Sequence, residues 1–284
     1  MPHSARRWRC GRHVLDFDLP AIMAIINTTP DSFSGDGLDR DLSAAIARAR
    51  AAIDAGARIL DVGGESSRPG AAGVPLEEEI ARVVPLVEAL APLGVPVSVD
   101  TVKPEVMRAS IAAGAAIIND INALRAPGAI EAVAATEAGV CLMHMRGEPR
   151  SMQEAPSYLD VVAEVEDFLL ERLAALEAAG VARERISLDP GFGFGKTLTH
   201  NLELFRALER LCAHGVAILI GVSRKTMIGG VTGRPVAQRV AGSVAAALLA
   251  VQRGADVVRV HDVAETRDAL AMWAAIERGR LSAY

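Results

Sequence analysis

The chain has 284 residues, of which 51% are hydrophobic and 4% aromatic, and its formal net charge at pH 7 is −5. This length suffices for one large core, which the composition indicates is built from Ala, Val, Leu and Ile. The negative charge and the absence of long Lys/Arg runs argue against nucleic-acid binding, and no apolar stretch reaches the roughly 18 residues of a membrane span.

The N-terminal region and the cysteines indicate the compartment. The chain is basic up to Arg12, but no apolar segment of the signal-peptide type follows. Cys10, Cys141 and Cys212 are odd in number and lack metal-ligand spacing, which is typical of thiols in a reducing environment. We therefore predict a cytoplasmic protein.

Next in chain order is one predicted strand over residues 12–18, which we expect to cap the bottom of the fold. From Ala21 onward a unit repeats: a short apolar run, a polar residue, a loop, a helix and a glycine. In one such unit Gly56 ends the helix, and Asp61 lies at the end of the apolar run that follows. The residues at or just after the predicted strand ends are Asn27, Asp61, Asp100, Asn119, His144, Asp189, Lys225, Arg259 and His261.

Eight such units predict parallel strands, because each strand returns through a helix. The length suits a (β/α)8 TIM barrel with a short N-terminal strand extension, in one domain over 1–284 with the barrel at about 20–278. The alternative is a doubly wound open sheet, but the glycine fingerprint expected after its first strand is absent from residues 27–32. In a barrel, the polar strand ends share one face, here called the mouth.

Basic residues follow the last two predicted strands. Residues 223–225 read Ser-Arg-Lys, and Arg259 with His261 follows the final apolar run. This corner of a barrel frequently binds phosphate, so we expect an anionic substrate such as a phosphate or diphosphate.

The acids at the strand ends leave three interpretations open. Asp61, Asp100, Asp189 and Asn119 suit a flat heterocycle with amino and lactam edges, but they could equally be metal ligands or structural acids. The glycine-rich residues 189–197 do not form a Walker A motif, because Pro190 stands where that motif needs glycine. We interpret these glycines as permitting close backbone approach to a ligand, with Phe192 or Phe194 as an apolar wall.

Seven segments, in order along the chain, resemble those of dihydropteroate synthases. They are AIINTTPDSFS (24–34), DVGGESSRPG (61–70), SVDT (98–101), LMHM (142–145), LDPGFGFGK (188–196), GVSRK (221–225) and VRVH (258–261). The resemblance implies a pterin-binding TIM barrel, commonly a homodimer, and a target of sulfonamides. It also implies condensation of 6-hydroxymethyl-7,8-dihydropterin diphosphate with 4-aminobenzoate, with Mg²⁺ assisting the departure of diphosphate.

The resemblance also implies roles for individual positions. Catalysis would involve Asp100, Lys225, Arg259 and His261. The pterin diphosphate would be bound by Asn27, Asp100, Asn119, Asp189, Lys225, Arg259 and His261, with Asn27 also near Mg²⁺. The aminobenzoate would be surrounded by Phe33, Ser67, Arg68, Pro69, Phe194 and Ser223. In the first loop, Asp36 stands one place away from the family's usual aspartate.

Three alternatives remain. A methyltetrahydrofolate:corrinoid methyltransferase would share the pterin acids but would not need Asn27, Arg259 and His261 around a diphosphate. A non-catalytic paralogue would bind pterin without turnover. The third alternative is a sugar-phosphate barrel enzyme, which competition between inorganic diphosphate and pterin analogues would test. None of these interpretations predicts a nucleic-acid or membrane partner.

Overall fold

The structure is a computed structural model that describes residues 6–27, 38–65, 73–148 and 151–280. Its strands are β1 (Arg7–Cys10), β2 (His13–Asp16), β3 (Ala21–Asn27), β4 (Ile59–Gly63), β5 (Val97–Asp100), β6 (Ile117–Asp120), β7 (Gly139–Met143), β8 (Ile186–Asp189), β9 (Ala217–Ile220) and β10 (Val257–Val260). Its α-helices are α1 (Leu38–Asp54), α2 (Leu76–Leu90), α3 (Pro104–Ala112), α4 (Ala129–Ala134), α5 (Val161–Ala178), α6 (Leu198–Arg206), α7 (Leu208–Cys212), α8 (Thr226–Thr232), α9 (Val240–Gln252) and α10 (Val263–Arg278).

Strands β3 to β10 form a closed barrel in sequential order, with β10 paired to β3. Each of these pairs is parallel, and helices connect consecutive strands. The prediction of a (β/α)8 barrel is therefore confirmed. The open-sheet alternative is wrong, because an open sheet has two edge strands and this one closes on itself.

The barrel strands are buried on both faces, which explains why their sequences are nearly continuous apolar runs. Outward side chains such as Leu60 and Ile118 pack against the helices in the larger core. Inward side chains such as Met23, Ile59 and Ile117 fill the lower half of the barrel. Alternate residues of one strand therefore serve two different cores.

The N-terminal extension closes the lower end of the barrel, here called the floor. It is an antiparallel hairpin of β1 and β2, so the predicted strand has a partner that precedes it. Trp8 of β1 is fully buried among the inward residues of the barrel, and its Nε1 donates to the carbonyl oxygen of Arg185 at 3.0 Å. Since the floor is plugged, access to the barrel interior is left to the mouth.

Strand register brings the predicted polar residues to one level at the mouth. Asn27 pairs with Gly63, Gly63 with Asp100, and Asp100 with Asn119. Because a parallel ladder keeps paired residues side by side, positions far apart in sequence become neighbours. Among the described helices, none is long and apolar enough to cross a membrane.

Candidate active site

The guanidinium of Arg259, on β10, lies between the carboxylates of Asp61 and Asp100, which are 198 and 159 residues away in the sequence. Its Nε donates to Asp61 Oδ2 at 2.6 Å, and its Nη2 donates to Asp100 Oδ2 at 3.3 Å. Burial alone would lower the pKa of Arg259, but the charges of Asp61 and Asp100 outweigh that effect and raise it. The arginine is therefore a permanent cation held at the centre of the mouth.

Asp61 is one of the strand-end acids that the sequence suggests for a heterocycle, a metal or a structural role, and the family resemblance assigns it no individual role. It is completely buried, and its Oδ1 accepts no hydrogen bond from the described residues. The sequence pattern predicts that Asp61 lies near the end of β4, but it does not predict that the side chain contacts Arg259. We interpret Asp61 as the residue that orients Arg259.

Asp100 is the acid whose charge is most affected by its surroundings. Burial raises its pKa to about 7, Arg259 acts to lower it, and the neighbouring charge of Asp61 adds to the increase. The carboxyl of Asp100 therefore changes its ionisation near neutral pH. Perturbed groups of this kind are typical of active sites.

Asp189 and Lys225 form the opposite side of the mouth. The Nζ of Lys225 donates to the carbonyl oxygen of Phe192 at 2.6 Å and lies 4.6 Å from the ring centre of Phe194. Burial lowers the pKa of Lys225 to about 8, against the opposing effect of Asp189. Asp189 accepts a hydrogen bond from the backbone N–H of Gly191 at 2.7 Å, and burial raises its pKa despite the charge of Lys225.

Phe192 and Phe194 have separate tasks. Phe192 is fully buried in the helix-facing core against Phe205, with ring centres 5.3 Å apart. Phe194 packs instead with the cluster at the mouth that contains Met143 and Met145. Of the two candidates for an apolar wall, Phe194 alone presents its ring to Lys225.

Ser223 and His261 meet at the corner after β9 and β10. The Ser223 Oγ and the His261 Nδ1 are 3.0 Å apart, and the backbone N–H of His261 donates to the same hydroxyl at 3.2 Å. Arg224, which the sequence places at this corner, is engaged by Asp262, with Arg224 Nε donating to Asp262 Oδ2 at 3.0 Å. Because Arg224 is paired with Asp262, fewer positive side chains at this corner can bind an anion than the sequence predicts.

A cavity of about 510 Å³ opens beside Asp100. Its lining residues in the described chain are Glu65, Glu79, Asp100, Thr101, Val102, Ile121, Asn122, Arg125, Met145, Gly147 and Glu148. Of the predicted site residues, Asp100 is among these lining residues, whereas Asp189, Lys225, Arg259 and His261 are not. The volume is within the range of small-molecule sites.

Several predicted site residues lie outside the described residues. They are Phe33, Ser67, Arg68 and Pro69, together with Asp36 of the first loop. For Asn27 the structure describes the backbone at the end of β3. The chain on either side of 66–72 is held by Lys103, whose Nζ donates to Glu65 Oε2 at 2.5 Å and to the carbonyl oxygen of Val74 at 2.8 Å.

Comparisons with known proteins agree on one family. A family model described as pterin binding enzyme matches residues 23–261. The dihydropteroate synthase of Escherichia coli K12 is 52% identical over 257 residues, which cover 90% of this chain and 91% of the relative. The Xanthomonas albilineans dihydropteroate synthase with 4-aminobenzoic acid is a similar solved structure, at 53% identity and a TM-score of 0.91, covering 97% of this chain and 99% of that one.

The Burkholderia cenocepacia dihydropteroate synthase complexed with 7,8-dihydropteroate is also similar in structure. It is 52% identical, with a TM-score of 0.88 and coverage of 96% of this chain and 97% of that one. One of these similar structures therefore contains 4-aminobenzoic acid and the other contains 7,8-dihydropteroate.

Proposed function

Because the chain belongs to the dihydropteroate synthase family of pterin-binding enzymes, it is a transferase that joins dihydropterin diphosphate to 4-aminobenzoate, and we propose how its residues divide that reaction. The observation that carries the proposal is Arg259 bound between Asp61 and Asp100 at the mouth. It sets a fixed cation beside a carboxyl that ionises near neutral pH, which is the pair of charges that this reaction needs.

The pterin ring is held by Asp189, Asn119 and Lys225. The carboxylate of Asp189 accepts from the amino and ring N–H groups, and the ammonium of Lys225 donates to the lactam edge. Support comes from the burial of Asp189 and Asn119 and from the fixed position of Lys225 over Phe194. Buried donors and acceptors of this kind discriminate against rings that cannot pair with them.

Bond breaking precedes bond making in the proposed mechanism. The methylene C–O bond breaks, its electron pair leaves on the diphosphate, and the pterin methylene becomes cationic. The ionised carboxylate of Asp100 stabilises that cation through the low-dielectric site. The amine of 4-aminobenzoate then attacks the methylene and loses a proton, which gives 7,8-dihydropteroate.

The diphosphate is received at the corner of Ser223, His261 and Arg259. Arg259 supplies a permanent charge, and His261 lies within hydrogen-bonding distance of Ser223. Ser223 is also a proposed aminobenzoate residue, so this hydrogen bond joins the binding sites of the two substrates. Phe194 and the loop residues Phe33, Ser67, Arg68 and Pro69 complete the proposed aminobenzoate site.

We propose that Mg²⁺ would be held at this corner by Asn27 and the diphosphate, as the family resemblance implies. The described residues contain no group of three or more His, Cys, Asp or Glu side chains that could hold a metal. Mg²⁺ commonly takes few protein ligands and several substrate phosphate oxygens, and Asn27 ends the strand beside β10, which leads into His261. The ion would neutralise charge on the departing diphosphate.

Assembly and location are further parts of the proposal. Leu249 of α9 and Met272 and Ile276 of α10 are large apolar side chains exposed on two helices that pack together. We propose that these residues form part of a contact with a second copy of the chain, since contiguous exposed apolar patches mark interaction surfaces. The free state of the three cysteines supports a cytoplasmic location.

The direct test uses purified protein with the pterin diphosphate, 4-aminobenzoate and Mg²⁺. We expect equal amounts of dihydropteroate and diphosphate, and no product when the aminobenzoate is left out. Tight pterin binding without product would contradict the proposal and favour a non-catalytic paralogue.

A further inference from the structure

Lys196 is a buried lysine in the loop between β8 and α6, and the proposed reaction does not use it. It is 3% exposed, and its Nζ has three close polar partners. They are His144 Nδ1 at 2.8 Å, the carbonyl oxygen of Gly191 at 2.9 Å and that of Phe194 at 3.1 Å. Burial lowers the pKa of Lys196 well below its usual value, but the Nζ donates to both carbonyl oxygens whether or not it carries the extra proton, and so it orders the chain that supplies them.

His144 is suited to the role of a neutral acceptor. It is buried, and burial together with the charge of Lys196 lowers its pKa to about 2. Its Nδ1 lies 2.8 Å from the Lys196 Nζ, and we assign Nδ1 as the acceptor, with the proton on Nε2. The ring is fixed against Phe168, edge to face, with centres 5.0 Å apart.

The loop that carries Lys196 lies in backbone contact with the loop after β7. A Cβ on Gly191 would collide with the carbonyl oxygen of His144, and a Cβ on Gly195 with that of Arg146. Both glycines also have positive φ, 68° and 62°. The two loops are therefore packed against each other, and the buried Nζ of Lys196 forms hydrogen bonds with residues of both.

This pair of packed loops contacts Lys225, the residue proposed to bind the pterin. The carbonyls that Lys196 holds belong to Gly191 and Phe194, which flank Phe192 on both sides. The carbonyl of Phe192 accepts from Lys225, and the ring of Phe194 lies under the same ammonium. A shift of this short segment would move both contacts of Lys225 together.

We propose that Lys196, with His144 as its hydrogen-bond partner, is a positioning residue that aims Lys225 at the pterin by fixing residues 190–195. The inference rests on the proposed role of Lys225 in pterin binding. A positioning residue acts through its target, so its effect must disappear when the target is removed.

The test is a double-mutant cycle between Lys196→Met and Lys225→Met, with kcat/KM for the pterin diphosphate as the readout. Lys196→Met keeps the length of the side chain and removes the ammonium. We expect it to lower kcat/KM by about tenfold in the native background and to have little effect in the Lys225→Met background. Equal losses in both backgrounds would mean that Lys196 acts on stability alone, and would overturn the proposal.

The matched control is Arg185→Met at the floor. Arg185 is also a buried cation on carbonyl oxygens, with Ala138 at 2.9 Å and Val133 at 2.9 Å, but it lies at the opposite end of the barrel. It should lower the unfolding temperature without any coupling to Lys225. Coupling of similar size from Arg185 would contradict a local action of Lys196.

His144 provides a second route should Lys196→Met fold poorly. His144→Asn keeps an acceptor near the position of Nδ1 and should retain kcat/KM, whereas His144→Leu removes it and should reproduce the loss. Identical behaviour of the two variants would overturn the proposal. Lys225→Met alone tests the proposed function: unchanged pterin binding in that variant would refute the role of Lys225, whatever Lys196 does.

Discussion

The floor and the mouth of the barrel bury polar groups in different ways. At the floor, Trp8 donates to the carbonyl oxygen of Arg185, and Arg185 donates to the carbonyls of Ala138 and Val133. These partners are neutral backbone groups, and they satisfy the buried donors with the chain's own atoms. The floor also buries one ion pair, with Arg6 Nε 3.0 Å from Asp256 Oδ2, and this acid accepts a further hydrogen bond from the backbone N–H of Ile218, so its charge is satisfied within the chain and contributes to stability.

At the mouth, charges face each other and stay partly unsatisfied. Asp61 Oδ1 is buried without a hydrogen bond from the described residues, and the pKa values of Asp100 and Lys225 are shifted to about 7 and about 8 by burial. Such an arrangement stabilises the fold less than neutral partners would, but it suits a ligand that brings its own donors and charges. In this barrel, therefore, residues at the floor mainly stabilise the fold, and residues at the mouth mainly serve the reaction.

The largest effect is expected at the floor, from Trp8→Ala. Removing this buried ring should lower the free energy of unfolding by about 3–5 kcal/mol, because the surrounding barrel residues cannot move in to fill the cavity that the ring leaves. The kcat of the folded enzyme should stay unchanged. Denaturant unfolding and steady-state rates measure the two quantities, and a fall in kcat at full folding would break the separation.

Asp61→Asn should have the reverse pattern at the mouth. The amide keeps the shape but not the charge that orients Arg259, so kcat/KM for the pterin diphosphate should fall by about a hundredfold. Steady-state kinetics at saturating aminobenzoate would check this. Native activity in this variant would show that Arg259 needs no orienting acid.

The stability cost of the mouth can be measured through Asp100→Asn. The folded pKa of Asp100 is raised to about 7 from 3.8, so the folded state binds the extra proton between these values and its stability falls as the pH rises through that window. Asparagine has no such titration. The unfolding temperature of the variant, relative to the native protein, should therefore rise by about 6 °C between pH 4 and pH 8, since the titration is worth about 4 kcal/mol over that window. A constant difference would contradict the raised pKa.

The smallest effect is expected from Asp16→Asn on the outer side of the floor hairpin. Asp16 pairs with Arg7 at 2.7 Å, but both side chains are more than half exposed. Because solvent screens such pairs, the unfolding temperature should move by less than about 2 °C and the rate should not change. A larger change in the unfolding temperature would mean that the exposed Arg7–Asp16 pair contributes substantially to the stability of the hairpin.

The barrel and the level of its polar residues could be predicted from the sequence for a physical reason. A buried parallel strand needs a continuous apolar run, and register then brings Asp100 and Asn119 side by side. The hairpin was predicted as a single strand, because β1 alternates buried residues with arginines and its partner gives the clearer pattern.

Side-chain partners could not be predicted in the same way. The sequence places Arg224 at the anion corner, but its backbone has a φ of 57° and its guanidinium reaches Asp262. Likewise, Phe192 and Phe194 were equal candidates for a wall, and the turn between them sends one ring into the core. Local conformation decides these partners, and the apolar pattern carries no information about it.

The central claim is that the mouth lowers the barrier to diphosphate departure rather than only binding the pterin. The most direct measurement is single-turnover formation of dihydropteroate by Asp100→Asn, with the dissociation constant of the pterin diphosphate measured on the same protein. We predict that the rate falls by about a thousandfold while the dissociation constant changes far less. Equal losses in rate and binding would contradict the claim and reduce Asp100 to a binding residue.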